Sequence, residues 1–267
     1  MGILRRVVVY REHPVPPALR WALACGWTLR AGPRGVLGWP VLPDAHMDIV
    51  ATAGGVQLAG PATVVQLSRL GPGEAVAGVR LRPGTATALL GVPASAVRDE
   101  HVDLAALWPA LARRHGWDAD AIAASGPGGR LRALYALLAT RLPDAAPPDD
   151  LVRHAVARIR HGAPSVTSLA AETGLTTRQL LRRFDAAVGY GPKRLQRIVR
   201  LQRGLELHRR EPAVPLAALA AQAGYADQAH LTRDWHALTG ATPARLLATR
   251  VVDVAPAPAE PGRRVER

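Results

Sequence analysis

Two short stretches of the chain carry side chains suited to the edges of nucleic-acid bases. The first holds Thr177, Arg178, Gln179, Arg182 and Arg183; the second holds Gln228, His230, Thr232 and Arg233. Arginine can set two N–H groups on O6 and N7 of guanine, glutamine can pair with N6 and N7 of adenine, and threonine can touch either kind of base. On a helix, residues three and four apart share a face, so Arg178 and Arg182 would point the same way. Between the stretches, Lys193, Arg194, Arg197, Arg200 and Arg203 have the charge and reach to hold phosphate oxygens, which position a protein on a duplex without specifying sequence. An ordinary amphipathic helix with a solvated charged face would look the same residue by residue. What separates the two readings is how the stretches relate to each other.

They belong to an internal repeat. VTSLAAETGLTTRQLLRRFDAAVGYGPKRL from Val166 aligns with PLAALAAQAGYADQAHLTRDWHALTGATPARL from Pro215. At an offset of 50, Leu169 meets Leu219, Ala170 meets Ala220 and Gly174 meets Gly224; at 51, Leu180 meets Leu231, Arg182 meets Arg233, Phe184 meets Trp235, Gly189 meets Gly240 and Pro192 meets Pro243. Each unit is expected to be a helix stopped by a glycine, a turn, and a second helix capped by Thr176 or Thr177 in one copy and by Asp227 in the other. Leu180, Phe184, Leu231 and Trp235 would anchor the second helices, leaving the polar residues above on the outside. Residues 192–210 lie between the units, and as one helix they would span about 28 Å at 1.5 Å per residue. That is close to the roughly 34 Å between successive major-groove faces of a duplex.

The elements that must carry these units fall in the second half of the chain. Residues 150–161, 166–173, 177–187, 192–210, 216–222, 227–238 and 243–249 have helical patterning, whereas RLPDAAPPDD at 141–150 cannot continue a helix. Before it, β-prone runs at 27–30, 47–52, 56–59, 64–70 and 75–81 are separated by GPRG, AGG, GP and GPG, a pattern of short antiparallel strands forming a small sheet or barrel. Pro17 to Ala24 has the look of a short helix, and from Gly84 helical periodicity returns, as in Leu131, Leu134, Tyr135 and Leu138. The expected organisation is an α+β domain over 1–143, a linker over 144–150, an all-α domain with two helix-turn-helix units joined by a long helix over 151–250, and a disordered tail over 251–267.

Charge follows the same division. Residues 1–150 hold 15 arginines and 12 acidic residues, net +3, whereas residues 151–267 hold 19 basic and 9 acidic residues, net +10. A concentrated positive field suits a phosphate backbone. No apolar run approaches the roughly 20 residues that span a bilayer, and the start of the chain lacks the pattern of a secretory signal. A cytoplasmic protein with no membrane partner is therefore expected. Cys25 is the only cysteine, which excludes an intrachain disulfide and a cysteine-rich zinc site. His13, His46 and His101 are too scattered to suggest metal, and no nucleophile elbow, phosphate loop or zinc-protease motif appears, so neither a catalytic residue nor a cofactor is expected. In the first domain Trp21, Trp27 and Trp39 could line an apolar effector pocket, with Asp44, His46 and Arg80 as its polar groups.

In these tandem units, residues 151–250 resemble the DNA-binding domain of the AraC/XylS family of bacterial transcription regulators, most closely in AAQAGYADQAHLTRDWHALTGATPARL. Trp235 stands where that family usually has phenylalanine. The resemblance implies a sequence-specific regulator, not an enzyme, with a cupin-like sensory or dimerisation module in front. VLPDAHMDIV and GVRLRPGTATALLGVP are the segments of that module with the weaker likeness. Its implied partners are promoter DNA, with room for a small-molecule effector, a second copy of the chain and RNA polymerase. Two other classes compete. A DNA-repair alkyltransferase with the same helical module would need a supported nucleophilic cysteine, and Cys25 sits alone in LACGW. A nonspecific basic DNA-binding protein would need charge only, with no base-reading side chains on the outer helices.

Overall fold

The chain is described here by a computed structural model, which places residues 8–110, 118–162 and 164–248. The tail expected to be disordered, 251–267, lies outside them. Six strands form an antiparallel sheet in the order β1-β2-β7-β4-β5-β8: β1 (Val8–His13), β2 (Leu23–Ala31), β4 (Met47–Thr52), β5 (Gly55–Ala59), β7 (Ala75–Leu81) and β8 (His101–Asp103). The remaining two, β3 (Val36–Val41) and β6 (Gln66–Leu70), pair as a separate ribbon.

Alternation along the strands gives the sheet two unlike faces. Met47, Ile49 and Ala51 of β4, Val56 and Leu58 of β5, and Ala77, Val79 and Leu81 of β7 point into one core. Leu131, Leu134 and Leu138 of helix α4 (Pro127–Arg141) fill it from the other side. The opposite positions, Asp48, Val50 and Thr52 of β4 and Val76 and Arg80 of β7, face the ribbon. A register shift between Leu23 and Cys25 moves β2 from one face to the other, so Leu23 joins the α4 core while Cys25 and Trp27 join the ribbon side. Trp27 lies across Gly78 of β7, its cross-strand partner, where any side chain would collide with the indole.

Two expectations change here. Only Pro17–Leu19 is helical, as a single 3-10 turn; Leu23 is drawn into β2 by pairing with Leu81, so strand partners outweigh the local pattern. Strands β1, β3 and β8 were not expected at all. Short helices α1 (Ala86–Leu90), α2 (Leu104–Leu107) and α3 (Ala119–Ala124) complete this half.

The rest is helical: α5 (Asp150–His161), α6 (Val166–Glu172), α7 (Thr177–Val188), α8 (Pro192–Arg210), α9 (Leu216–Ala223), α10 (Gln228–Thr239) and α11 (Pro243–Ala248). Phe184, Leu180, Leu231 and Trp235 are fully buried in its core, as their anchoring role requires. Gly204 lets α8 approach Trp235: a Cβ there would sit 2.7 Å from the indole.

Candidate nucleic-acid interface and a cavity beneath the long helix

In the first unit α6 ends at Thr173, and Gly174, at φ +66°, turns the chain. Thr176, not Thr177, caps α7. Its hydroxyl accepts from the Gln179 amide at 3.2 Å, and the Gln179 side-chain oxygen accepts from the Thr176 amide at 2.9 Å, a reciprocal capping box. Gln179 is thus exposed but its carbonyl is engaged at the cap. Thr177, Arg178 and Arg182 point outward beside Leu181, an exposed apolar residue that was not expected on this face. Arg183 does not join them: its Nε donates to Asp149 Oδ2 at 2.7 Å, tying α7 to the start of α5.

The second unit repeats the plan. Gly224, at φ +88°, ends α9, and Asp227 caps α10 by accepting from the His230 amide at 2.6 Å. Gln228 and Arg233 are exposed. His230 is half-buried edge-on to Tyr225, and Thr232 is half-buried with its hydroxyl donating to the Gln228 carbonyl. On α8, Lys193 is exposed and Arg194 half-buried, but Arg197 donates to the buried Asp234 of α10 at 2.5 Å and Arg200 lies 3.6 Å from its other oxygen. Asp234 therefore engages Arg197 and Arg200 within the protein and ties the long helix to the second unit. The signal for this was an acidic residue at a position flanked by Arg233 and Trp235, but its partner is 37 residues distant in sequence. Arg178, Arg182, Lys193 and Arg233 make no ion pair or side-chain hydrogen bond among the described residues.

A cavity of about 580 Å³ lies between the sheet, the ribbon and α8. Trp27 and Trp39 line it with Tyr10, Asp44, His46 and Arg80, and α8 contributes Gln202, Leu205 and Arg209. Trp21 is elsewhere, packed on the α4 core. Arg80 is buried and bidentate on Asp48, at 3.1 Å to each oxygen, and 3.3 Å from Asp44. Burial works against its charge, but Asp48 and Asp44 more than offset this and hold its pKa above the ordinary value. His46 is pushed down to about 3 by burial and by the Arg80 and Arg160 charges. It is thus neutral; Nδ1 donates to the Leu81 carbonyl at 2.9 Å and Nε2 accepts from Arg160 Nη2 at 3.2 Å. Burial also raises the Cys25 thiol to about 12, the reverse of what an activated nucleophile needs. Among the described residues no three His, Cys, Asp or Glu side chains converge to hold a metal, and no helix is long and apolar enough to cross a membrane.

Residues 169–249 match the family model described as a helix-turn-helix domain. The chain is a DNA-binding transcription regulator with an AraC-type helix-turn-helix domain. Residues 11–103 of the regulator match a second model, described as a domain of unknown function (DUF6597). No curated protein matches the chain by sequence. Among solved structures it is similar to ToxT from Vibrio cholerae O395, at 9% identity and a TM-score of 0.41 over 91% of this chain and 97% of that one. It is likewise similar to ToxT of V. cholerae strain SCE256 with a bound unsaturated fatty acid, at 11% identity and a TM-score of 0.41 over 90% and 94% of the two chains. These are distant likenesses.

The two halves of the regulator meet along polar as well as apolar contacts. Gln202 of α8 donates to the Pro43 carbonyl at 2.7 Å, and Arg160 of α5 meets His46 in front of β4. Ala45 and Leu42 pack into the helical core rather than that of the sheet.

Proposed function

We propose that the regulator reads a single DNA site with α7 and α10 together, using Arg178 and Arg182 in one major-groove segment and Gln228 and Arg233 in the next. Lys193 and the half-buried Arg194 hold phosphate, and Thr177, Gln179, His230 and Thr232 lie close enough to the same surface to shape the contact. The sheet domain up to residue 143 serves as an effector module, joined by the 144–150 segment to a DNA-binding domain over 151–250. Its cavity takes a small molecule whose binding biases the long helix α8. The protein works by binding and not by catalysis, in the cytoplasm.

The observation that carries this is the split among basic residues. On one helix Arg182 is exposed and without a protein partner while Arg183 is used internally, and the same division separates Lys193 from Arg197. A protein holding DNA by charge alone has no need to keep base-reading arginines uncommitted on the two outer helices. The test is the double variant Arg178→Ala/Arg182→Ala. It should keep the parent's thermal unfolding midpoint and lose about 2 to 6 kcal/mol of discrimination between a selected site and a scrambled duplex, at roughly 1 to 3 per bidentate contact. Undiminished discrimination would remove α7 from the reading surface.

A further inference from the structure

The last carbonyls of a helix have no partner within it and must find one elsewhere. At both outward helices the sheet domain supplies it. On α7, the Thr87 hydroxyl donates to the Ala186 carbonyl at 2.7 Å, and Arg98 donates through Nε to the Gly189 carbonyl and through Nη2 to Asp185 at 2.5 Å. A cation at a helix C-terminus is also favoured by the helix dipole. On α10, the Val65 amide donates to the Leu238 carbonyl at 2.9 Å. Pro61 seats against Gly189, whose φ of +93° and closeness to the proline ring both exclude a side chain there.

These holding groups come from two loops, 60–65 and 93–100, that are stitched into one piece. Asp99 Oδ1 accepts from the Thr63 amide at 2.6 Å, Asp99 Oδ2 accepts from the Thr63 hydroxyl at 2.8 Å, and the Gly60 amide donates to the Glu100 carbonyl at 2.9 Å. Asp99 adopts φ +60°, a left-handed backbone unusual for a residue with a side chain. This turns Arg98 toward α7 while the Asp99 carboxylate faces Thr63.

We infer that this Thr63–Asp99 bracket fixes the placement of α7 relative to α10, making Arg98, Asp99 and Thr63 positioning residues that set the operator spacing the protein accepts. α8 follows α7 directly and its ion pairs to Asp234 reach the middle of α10, so it meets the two helices at unlike points. The bracket adds a second connection, holding the C-terminal ends of both reading helices, at Ala186 and Gly189 of one and at Leu238 of the other. The inference rests on the two-helix reading proposed above.

The test uses the full chain and duplexes carrying the two sequence blocks that it selects, with one to five base pairs inserted between them. Each added base pair rotates one block relative to the other, so a rigid frame loses its second set of contacts and the effective concentration they provide. Parent protein should lose at least roughly tenfold in affinity at the worst spacing. Arg98→Ala and Asp99→Ala should flatten that profile to within about threefold while binding a single block as the parent does. Asp99→Asn should restore the profile, because asparagine tolerates the left-handed backbone and still accepts from the Thr63 amide. Thermal unfolding of each variant identifies any that fails to fold, and Thr63→Val, which loses only the hydroxyl, then takes its place. Variant profiles superimposed on a spacing-dependent parent would overturn the bracket. A parent indifferent to spacing would instead overturn the two-helix reading and the bracket with it.

Discussion

Arg182 and Arg183 are adjacent in sequence and meet opposite surroundings, one facing solvent and the other bound to Asp149. Asp149 also caps α5 by accepting from the Val152 amide at 3.2 Å. Arg183→Ala should therefore lower stability by about 0.5 to 1 kcal/mol, the range for a pair this exposed, and weaken all duplexes alike, unlike changes at Arg182. Nothing in the sequence distinguishes the two, because the partner lies 34 residues away in the proline-rich segment. The aromatic and polar set before residue 81 was legible in part for a related reason: alternation puts Trp27, Asp48 and Arg80 on one face, but only the β2 register shift shows that Trp21 and Trp27 separate. His46 gives a second prediction. Its folded pKa, about 3, lies below its ordinary value of 6.5, so the unfolded chain binds the proton more readily. Stability from this site is fully present above pH 6.5 and is lost as pH falls from 6.5 toward 3. Urea unfolding across that window should show a shallower acid loss in His46→Gln than in the parent; equal slopes would mean that His46 does not titrate as its burial requires.

At the scale of elements, the helices of the second half were legible because each has its own start and stop. Asp149, Thr176 and Asp227 cap three of them, and Pro192 opens the long helix, whose observed limits of 192 and 210 are those its sequence indicates. The strands missed have no such punctuation: β1 and β8 lie at the sheet's edges, and β3 contains Gly38 and Pro40. Packing also sorts the repeat into two unequal copies. Trp235 fills more space than Phe184 and does so against Gly204, which lets α8 and α10 approach closely. Trp235→Ala should lower stability by about 3 to 5 kcal/mol through the cavity it leaves. A loss confined to DNA affinity, with the unfolding midpoint unchanged, would mean that Trp235 is not the anchor of the second unit.

At the scale of the molecule, the cavity and the DNA-binding helices share α8. Under the proposed function a ligand touching Leu205 and Arg209 would act on the same helix that Asp234 ties to α10, and occupancy and DNA binding would then be linked in both directions. Val50→Trp, projecting from β4 into the cavity, should change affinity for a selected duplex by about 5- to 150-fold, the usual span of allosteric coupling. An unchanged affinity in a folded variant would uncouple the two sites. This shared helix was not legible in advance, since residues 202–209 lie more than a hundred positions from the strands they cover. Two helices of one chain reading one site would select a two-part sequence, which selection of bound duplexes from a random pool by the purified full chain would reveal. Two enriched blocks should emerge with centres about one helical turn apart, roughly 10 base pairs, one of them lost when Gln228 and Arg233 are both changed to alanine. A single block, or a pool retained without enrichment, would contradict it.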